Sequence, residues 1–254
     1  MIILLSPAKT LDFSDGISAI RASVPFFMKE AAQLVSMLKQ KSPAELMKLM
    51  DISPSLAQLN AERFNQWTGN DISLMKEAVL AFRGDVYTGL NADTFSQEDQ
   101  IFAQNHLRIL SGLYGWLRPF DLIEPYRLEM GTTLKVGKSP DLHGFWRKKL
   151  SKQLKEDIKL QGSKLVINLA SNEYFSAIDI KGIQAEIVTP VFKDLIGGQY
   201  KVVSFFAKKA RGMMASYIIR NRIVSSDELI GFTDEGYHYN PEISTLLKPV
   251  FTRG

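Results

Sequence analysis

A run of basic residues stands where the sequence predicts that a helix begins. The stretch SFFAKKARGMMASYIIRNR predicts a helix over 207–222 whose first residues are basic. They are Lys208, Lys209 and Arg211. The N-terminal end of a helix carries partial positive charge, so acidic residues are preferred there, and no Ser, Thr, Asp or Asn directly precedes this start to cap its N–H groups. An anion is therefore the simplest partner to expect at this end of the helix.

The chain carries six cations and no acid between Asp194 and Asp227. These cations are Lys201, Lys208, Lys209, Arg211, Arg220 and Arg222. Apolar residues recur at helical spacing, which predicts that one side of the helix packs against the protein. Small residues between the cations, Gly212 and Ala215, favour the close approach of a bulky partner. We interpret the helix as a phosphate-binding element, and a solvated surface helix is the alternative.

The segment KLMDISPSLAQLNAERF, residues 48–64, predicts two short helices joined by a tight turn. Ser53 is expected to cap the second helix, with Pro54 at its first position. The pattern resembles a helix-hairpin-helix motif, in which backbone N–H groups bind nucleic-acid phosphate. Ile52 would be the buried apolar residue of the turn, whereas Asp51 and Ser53 stand where the motif prefers glycines. An ordinary αα-hairpin in the core is the alternative.

The segment HLRILSGLYGWLRPFDLIEPYRLEMG, residues 106–131, is a third candidate, because its glycines and prolines predict a shaped loop. Its arginines and acids are Arg108, Arg118, Asp121, Glu124, Arg127 and Glu129. They form either an internal network of ion pairs or a pocket. In a pocket, a carboxylate would act as acid or base and the arginines would bind an anion.

Two polar loops follow predicted strands, SPAKT at 6–10 and ASNEY at 170–174. Ligands of open sheets gather at the carboxyl ends of the strands, so these loops and the basic helix are expected at one cleft. Lys9, Asn172 and Glu173 would line it. The first loop lacks the glycines of a Walker A loop, and the sequence does not predict an NTPase.

The sequence contains no motif for a metal or a cofactor. It has no cysteine, and His106, His143 and His238 lie far apart without a second ligand at metal-binding spacing. Neither a dinucleotide fingerprint nor a nucleophile elbow is present. We therefore expect no cofactor and no dedicated metal site.

Composition and charge are those of a water-soluble globular protein. The net charge is +4 and the pI about 9.1, which allows polyanionic partners without requiring them. The apolar start MIILL has five residues, too few for a signal peptide or a membrane span, so we expect a buried strand and a cytoplasmic protein with no membrane partner.

The elements that must position these residues are strands and helices intermixed along one domain, 1–254. Strands are predicted at 2–5, 164–169, 185–192 and 199–206, the last two as a hairpin turning at Gly197–Gly198. Pro190 favours an edge or a bulge for its strand. Helices are predicted at 25–40, 43–50, 54–66, 73–82, 97–105, 141–160 and 207–222. This order predicts a mixed α/β or α+β fold in which helices flank a mixed sheet.

Several stretches together resemble the YaaA family of peroxide stress resistance proteins. They are SPAKTLDF, AFRGDVYTGL (81–90), LRILSGLYGWLRPFDLIEPYRLEMG (107–131), VINLASNEYF (166–175), PVFK (190–193) and VSFFAKKARGMMASYII (203–219). The resemblance implies a mixed α/β fold with a positively charged cleft and a helix-hairpin-helix element. It also implies binding of double-stranded DNA without marked sequence preference, and survival of peroxide through a low level of free iron. Contacts to DNA would then fall to Ile52, Ser53 and Ser55 of the hairpin and to the three cations that open the basic helix.

The expected function is therefore a DNA-binding protein of the peroxide response that grips phosphates through a basic cleft. The alternative is an enzyme that acts on a nucleotide or another phosphorylated small molecule in a strand-end pocket. Whether the chain is an enzyme stays open, with the non-enzymatic reading favoured. Direct sequestration of iron is the weakest reading, because ligand motifs are missing.

Overall fold

The computed structural model describes residues 1–14 and 22–254. Within them it has nine α-helices: α1 (Met28–Lys39), α2 (Pro43–Met50), α3 (Pro54–Gln66), α4 (Ala78–Ala81), α5 (Asp85–Leu90), α6 (Gln97–His106), α7 (Leu142–Gln161), α8 (Asn172–Phe175) and α9 (Ser204–Arg220). Short 3-10 helices cover Ile72–Leu74, Ala92–Thr94, Ser226–Gly231, Asp234–Gly236 and Pro241–Ile243.

The same residues form thirteen strands in two larger and two small sheets. The strands are β1 (Ile2–Leu5), β2 (Thr10–Leu11), β3 (Lys76–Glu77), β4 (Phe82–Arg83), β5 (Leu107–Ser111), β6 (Gly115–Leu117), β7 (Leu122–Ile123), β8 (Leu165–Asn168), β9 (Glu186–Val188), β10 (Val191–Ile196), β11 (Gln199–Lys201), β12 (His238–Tyr239) and β13 (Val250–Arg253). The mixed α/β class expected from the sequence is confirmed.

The main sheet has the order β6-β5-β1-β8-β9, with β1 at its centre. Ile3 pairs in parallel with Leu107 on one side and with Ile167 on the other. Every residue of β1, β5 and β8 is buried, as expected for central parallel strands covered on both faces. The carboxyl ends of β1 and β8 therefore lie side by side at one edge of the sheet.

The second sheet has the order β11-β10-β13-β12 and is closed by an aromatic cluster around Phe192. The predicted hairpin turns at Gly197 and Gly198, both with positive φ, but its strands differ from the prediction. The first strand is interrupted at Pro190, so that β9 joins the edge of the main sheet and β10 the second sheet. The strand predicted at 199–206 ends at Lys201, because Ser204–Phe206 already belong to α9.

The helix predicted at 73–82 is wrong. The chain there forms the 3-10 turn Ile72–Leu74, then β3, the single turn α4 and β4. The backbone N–H groups that would continue a helix donate their hydrogen bonds to another segment. Ala78 N–H donates to the Asp121 carbonyl oxygen at 2.9 Å, and Val79 N–H donates to the Pro119 carbonyl oxygen at 2.9 Å. A tertiary contact thus overrides the local helical pattern.

Helix α9 packs against α5 with almost no space between the two backbones. A Cβ atom at Gly212 would lie 1.8 Å from the Val86 carbonyl oxygen, and one at Gly89 would lie 2.1 Å from that of Lys209. The prediction that Gly212 and Ala215 leave room for an external partner is therefore wrong, because both residues are buried and α5 fills that space. The alternative of a solvated surface helix is wrong as well, since most of α9 is buried.

Helix α9 also begins earlier than predicted. It starts at Ser204, so Lys208, Lys209 and Arg211 lie in its second turn rather than its first. The absence of a capping side chain is as expected: Val203 at the N-cap position supplies no side-chain hydrogen bond. Over the part of the chain that the structure describes, every helix is too short or too polar to serve as a membrane span.

We predict that Gly212→Ala destabilises the fold although the same change inside a helix normally stabilises it by about 0.5–1 kcal/mol. The new Cβ must push α5 and α9 apart, and overpacking of this kind costs about 1–3 kcal/mol. Urea unfolding should therefore show a lower free energy of unfolding for the variant. Ser204→Ala, at the exposed first turn of the same helix, is the control and should change it by less than about 0.5 kcal/mol. A stabilised Gly212→Ala would contradict the close crossing.

Candidate functional site

The loops that follow β1 and β8 are tied together at the carboxyl edge of the main sheet. Ser171 N–H donates a hydrogen bond to Ser6 Oγ at 2.9 Å, and the Ser6 hydroxyl donates to Ser171 Oγ at 3.3 Å. Tyr87 of α5 reaches the same point, where its hydroxyl donates to the Ser6 carbonyl oxygen at 3.1 Å. Three elements that are distant in sequence thus meet at one place.

A cavity of about 390 Å³, which we call the strand-end cavity, opens beside these loops. Its charged lining comprises four cations and three acids: Lys9, Arg83, Lys208, Arg211, Asp85, Glu129 and Glu173. Lys9, Glu173 and the basic helix were expected at one cleft, and they line this cavity together, whereas Asn172 does not line it. The volume lies within the range of small-molecule sites.

Most of the charges that line the cavity are partnered within the protein. Lys9 Nζ lies 2.8 Å from Glu129 Oε2, and Arg127 Nη2 lies 2.9 Å from Glu129 Oε1. Arg83 contacts two further acids at 3.4 Å each. Glu173 Oε1 accepts a hydrogen bond from Gly131 N–H at 2.9 Å. These contacts fix the walls of the cavity and neutralise much of its charge.

Among the cations that line the cavity, Lys208 and Arg211 are the exceptions in the described part of the chain. Neither makes an ion pair or a side-chain hydrogen bond with another described residue, and they stand three positions apart on the same side of α9. Burial lowers the pKa of the Arg211 guanidinium. Arginine nevertheless stays charged in proteins, so a half-buried Arg211 without an acidic partner favours an anion in the cavity.

Two buried tyrosines lie at the site: Tyr174 in the wall of the cavity, and Tyr87 behind it on the Ser6 carbonyl oxygen. Burial, and next the charge of Glu173, raises the pKa of the Tyr174 hydroxyl, and burial raises that of Tyr87. Both hydroxyls are therefore neutral at physiological pH and can donate hydrogen bonds. Neither tyrosine was expected at the site, nor were Arg83 and Asp85, and the only signal was their position in stretches that resemble the family.

The other cations of the basic stretch lie outside the cavity. Lys209 pairs with Glu235, and Arg222 Nη1 lies 2.7 Å from Asp99 Oδ1. Arg220 stacks over the Phe95 ring, with its guanidinium carbon 5.2 Å from the ring centre, and Lys201 is exposed on the edge strand β11. The basic stretch therefore divides into two cations that face the cavity and four that do not.

The residues expected in a pocket at 108–129 separate into two groups. Arg108 Nε pairs with the buried Asp157 at 2.5 Å, and both line a different cavity of about 260 Å³ together with Arg118. Arg118 also binds Asp121 at 3.0 Å. Glu124 accepts backbone N–H groups from Thr68 at 3.0 Å and Gly69 at 2.5 Å. The ion-pair network describes these residues. Glu129, in contrast, belongs to the wall of the strand-end cavity, and its partner Arg127 lines a small cavity beside it.

The segment 48–64 forms two helices, α2 and α3, joined by Asp51–Ser53. Asp51 adopts a left-handed conformation with φ of 49°, which the motif gives to glycine. Ser53 caps α3 by accepting from Leu56 N–H at 3.3 Å, and Ile52 packs against the core. Ser55 is exposed beside Ser53, with the two Oγ atoms 3.1 Å apart.

The turn of this hairpin lies outside the cavity, because no residue of α2 or α3 lines that cavity. Burial, and next the charge of Arg127, lowers the pKa of Arg63 near the end of α3. A partner that touched both the turn and the cavity would have to extend beyond the cavity.

The three histidines are not gathered. His106 Nδ1 lies 2.8 Å from the Met1 carbonyl oxygen, and His143 Nε2 lies 2.7 Å from that of Glu173. Among residues 1–14 and 22–254, no group of three or more His, Cys, Asp or Glu side chains is placed to hold a metal ion.

Comparison with known proteins gives close relatives over the whole chain. The sequence model of a family described as peroxide stress protein YaaA matches residues 1–243. A UPF0246 protein of Shewanella amazonensis is 48% identical over 254 residues, which cover 100% of this chain and 99% of that protein. UPF0246 proteins of Shewanella sp. strain W3-18-1 and Shewanella baltica are each 50% identical, with the same coverage.

The ion pair between Arg222 and Asp99 predicts a pH-dependent stability. Burial raises the pKa of Asp99, but hydrogen bonds from Arg222 and from Ser96 N–H outweigh it, so the pKa lies below its ordinary value. The carboxylate therefore stabilises the fold fully above its unfolded pKa of about 3.9, and this contribution is lost as the pH falls through the lower folded value.

We accordingly predict that Asp99→Asn costs about 1–3 kcal/mol at neutral pH. Urea unfolding of wild type and variant at a series of pH values should show the difference shrinking once the pH falls below about 4. Asp227→Asn, at an exposed carboxylate outside any ion pair of the described residues, is the control and should have little effect throughout. A difference that stays constant down to pH 3 would show that Asp99 does not act through its charge.

Proposed function

This chain belongs to the family of peroxide stress protein YaaA, whose role is in oxidative stress, and we propose that it binds the phosphates of double-stranded DNA without sequence selectivity and helps to keep intracellular free iron low. The observation that carries DNA binding is the pair Lys208 and Arg211. They are cations of the strand-end cavity that no described acid neutralises.

A backbone phosphate suits this pair better than a carboxylate or chloride does. A phosphate has several acceptor oxygens, so it can bind the Arg211 guanidinium with two parallel hydrogen bonds while Lys208 binds another oxygen. The neutral Tyr174 hydroxyl is a further donor on the same wall. None of these groups reads a base edge in a groove, so the proposed binding carries no sequence information.

The size of the cavity limits what enters it. A volume of about 390 Å³ accepts a phosphate with its sugar, or one nucleotide, but not a duplex. The rest of the duplex must then lie on the outer surface. The exposed residues Ser53 and Ser55, at the start of α3, are the candidates from the hairpin for a second contact.

A second candidate function is an enzyme that acts on a nucleotide or another phosphorylated small molecule. The same volume favours it, as does the juxtaposition of acids and cations in one cavity. Asp85 has no ion-pair partner among the described residues, and a carboxylate near bound substrate is suited to general acid–base catalysis. Lys208 and Arg211 would hold the substrate phosphate, so both candidates give these two residues the same role.

The limitation of free iron is supported by membership of the family alone. The described residues do not supply a group of metal ligands. We therefore propose that the iron effect depends on the ligand of the cavity rather than on iron bound by that cavity.

We predict that Lys208→Ala/Arg211→Ala weakens binding to a labelled 20-base-pair duplex by at least about tenfold in a KCl series. Loss of two phosphate contacts should lower the slope of log K against log salt by about two, since each contact contributes about 0.9. Fluorescence anisotropy measures both quantities. The matched control is Lys201→Ala/Lys209→Ala, which removes the same charge from the same stretch but outside the cavity.

Equal losses in the two variants would show that the cavity is not the phosphate site. If wild type fails to bind the duplex at low salt, the DNA proposal is wrong. The second candidate would then be supported if calorimetry shows that wild type binds a nucleoside monophosphate and that Lys208→Ala/Arg211→Ala, the cavity variant, does not.

For the iron proposal, we predict that the cavity variant fails to lower chelatable iron in cells that lack their own family member. The measurement is electron paramagnetic resonance of desferrioxamine-bound iron during peroxide exposure. Wild type and Lys201→Ala/Lys209→Ala should lower the signal, and Lys208→Ala/Arg211→Ala should leave it at the level of the empty vector at equal protein abundance. Full rescue by the cavity variant would separate the iron effect from the cavity.

A further inference from the structure

The outer side of α7 carries a row of lysines that the cavity does not use. They are Lys148, Lys152, Lys155 and Lys159, and we call them the lysine stripe. Their spacings of four, three and four residues stack them along one side of the helix, over a length of about 16.5 Å. All four are exposed and lie opposite the buried side of α7, which holds residues such as Trp146 and Asp157.

Neighbouring acids do not neutralise the lysine stripe, whereas they neutralise several cations of the basic stretch around α9. None of its four lysines makes an ion pair with any of the residues that the structure describes. One exposed acid, Glu156, stands on the flank of the helix, and the other acid, Asp157, is buried and paired with Arg108. Helix α7 therefore carries four cations on one side that no described acid neutralises.

A row of like charges is unfavourable for the isolated helix. Lysines three and four positions apart on a helix surface repel one another. The partial negative charge at the C-terminal end of α7 stabilises Lys159 but falls off within the last turn, so it does not reach Lys148 or Lys152. A solvated helix face normally mixes both signs of charge. The stripe is thus built in a way that an anionic partner would favour.

The positive surface continues beyond the end of the helix. Lys164 joins Lys155 and Lys159 around a cavity of about 380 Å³ whose floor includes Ile158 and Ile183. The chain turns there through Gly162, which ends α7 in a left-handed conformation. The row of cations therefore extends from the middle of α7 to the start of β8 without an intervening acid on that line.

We propose that the lysine stripe binds the phosphate backbone of a nucleic-acid duplex. A duplex carries one phosphate charge per about 1.7 Å of its axis, so a row of about 16.5 Å lies within reach of several phosphates of the backbone. Lysine ammonium groups bind phosphates as point charges and need no precise orientation, which suits a contact without sequence selectivity. The identity of the partner rests on the proposed DNA binding, whereas the choice of residues does not.

A membrane surface fits the stripe less well. A helix that lies on a membrane buries an apolar face beside its cations. The exposed side of α7 offers Leu160 alone, at 82% exposure, and this residue stands at the end of the helix. The stripe also differs in position from the strand-end cavity, because His143 in the first turn of α7 contacts Glu173 from the side opposite the stripe.

The test is duplex binding by Lys148→Gln/Lys152→Gln/Lys155→Gln/Lys159→Gln, measured by anisotropy with the labelled 20-base-pair duplex across a KCl series. We expect a loss of more than about tenfold and a salt slope lower by about three to four. The control is Lys29→Gln/Lys135→Gln/Lys138→Gln/Lys248→Gln, which removes four exposed charges from scattered positions. It should change the affinity by less than about threefold. Urea unfolding of the stripe variant should show no loss of stability, because repulsion is relieved.

The outcomes separate this inference from the proposed function. If the stripe variant binds as the control does while Lys208→Ala/Arg211→Ala loses binding, the stripe proposal is overturned and the cavity proposal stands. The reverse pattern supports the stripe and overturns the cavity as the DNA site. Wild type that does not bind duplex overturns both. Vesicles of phosphatidylserine and phosphatidylcholine test the membrane alternative in a sedimentation assay. If only the stripe variant fails to sediment with them and its duplex binding is unchanged, the partner is a membrane and the stripe proposal is overturned.

Discussion

The contact between α5 and α9 is the constraint on which the strand-end cavity depends. Gly89 and Gly212 let the two helices touch backbone to backbone, at a distance that any side chain would increase. The start of α5 carries Asp85 and Val86 into the cavity wall, and α9 carries Lys208 and Arg211 into the same wall. Because the two helices are locked together, the acids and cations of the cavity keep a fixed spacing. A ligand therefore meets a site that is already organised, and little binding energy is lost in ordering it.

Electrostatic compensation explains how a run of cations can lie on a largely buried helix. Lys209, Arg220 and Arg222 project away from the cavity and find acids, hydroxyls or aromatic rings on neighbouring segments. Their contacts contribute to the fold. Lys208 and Arg211 contribute nothing comparable, and the half-buried guanidinium of Arg211 costs desolvation without a partner. Groups that destabilise the free protein in this way are typical of functional sites, because their cost is recovered when the ligand binds.

Many of the strands, helix starts and loops could be predicted from the sequence, because the residue patterns that specify them are local. The apolar runs of β1 and β8 are buried strands as expected, and Ser53 caps α3 as expected. The loops after these strands were expected at one edge because parallel strands align their carboxyl ends. The α5–α9 crossing could not be predicted, since Gly89 and Gly212 are far apart in the chain and neither lies in a pattern that specifies a partner. The same holds for the loop 119–121, which takes backbone donors from the predicted helix at 73–82.

The two positive surfaces obey different physics, and this difference bears on what each can contribute. The cavity places a few cations at reduced solvent exposure, where the effective dielectric constant is low and each contact is strong and directional. The lysine stripe is exposed to solvent, so each lysine contributes little, its attraction is screened within about 8 Å at physiological ionic strength, and its effect lies in the number of charges. A long polyanion gains from both kinds of surface, through steering and counterion release at the stripe and through fixed geometry at the cavity. A free mononucleotide gains only from the cavity. The dependence of binding on the length of the nucleic acid therefore distinguishes the two proposed functions, because only the DNA-binding function requires affinity to rise with length.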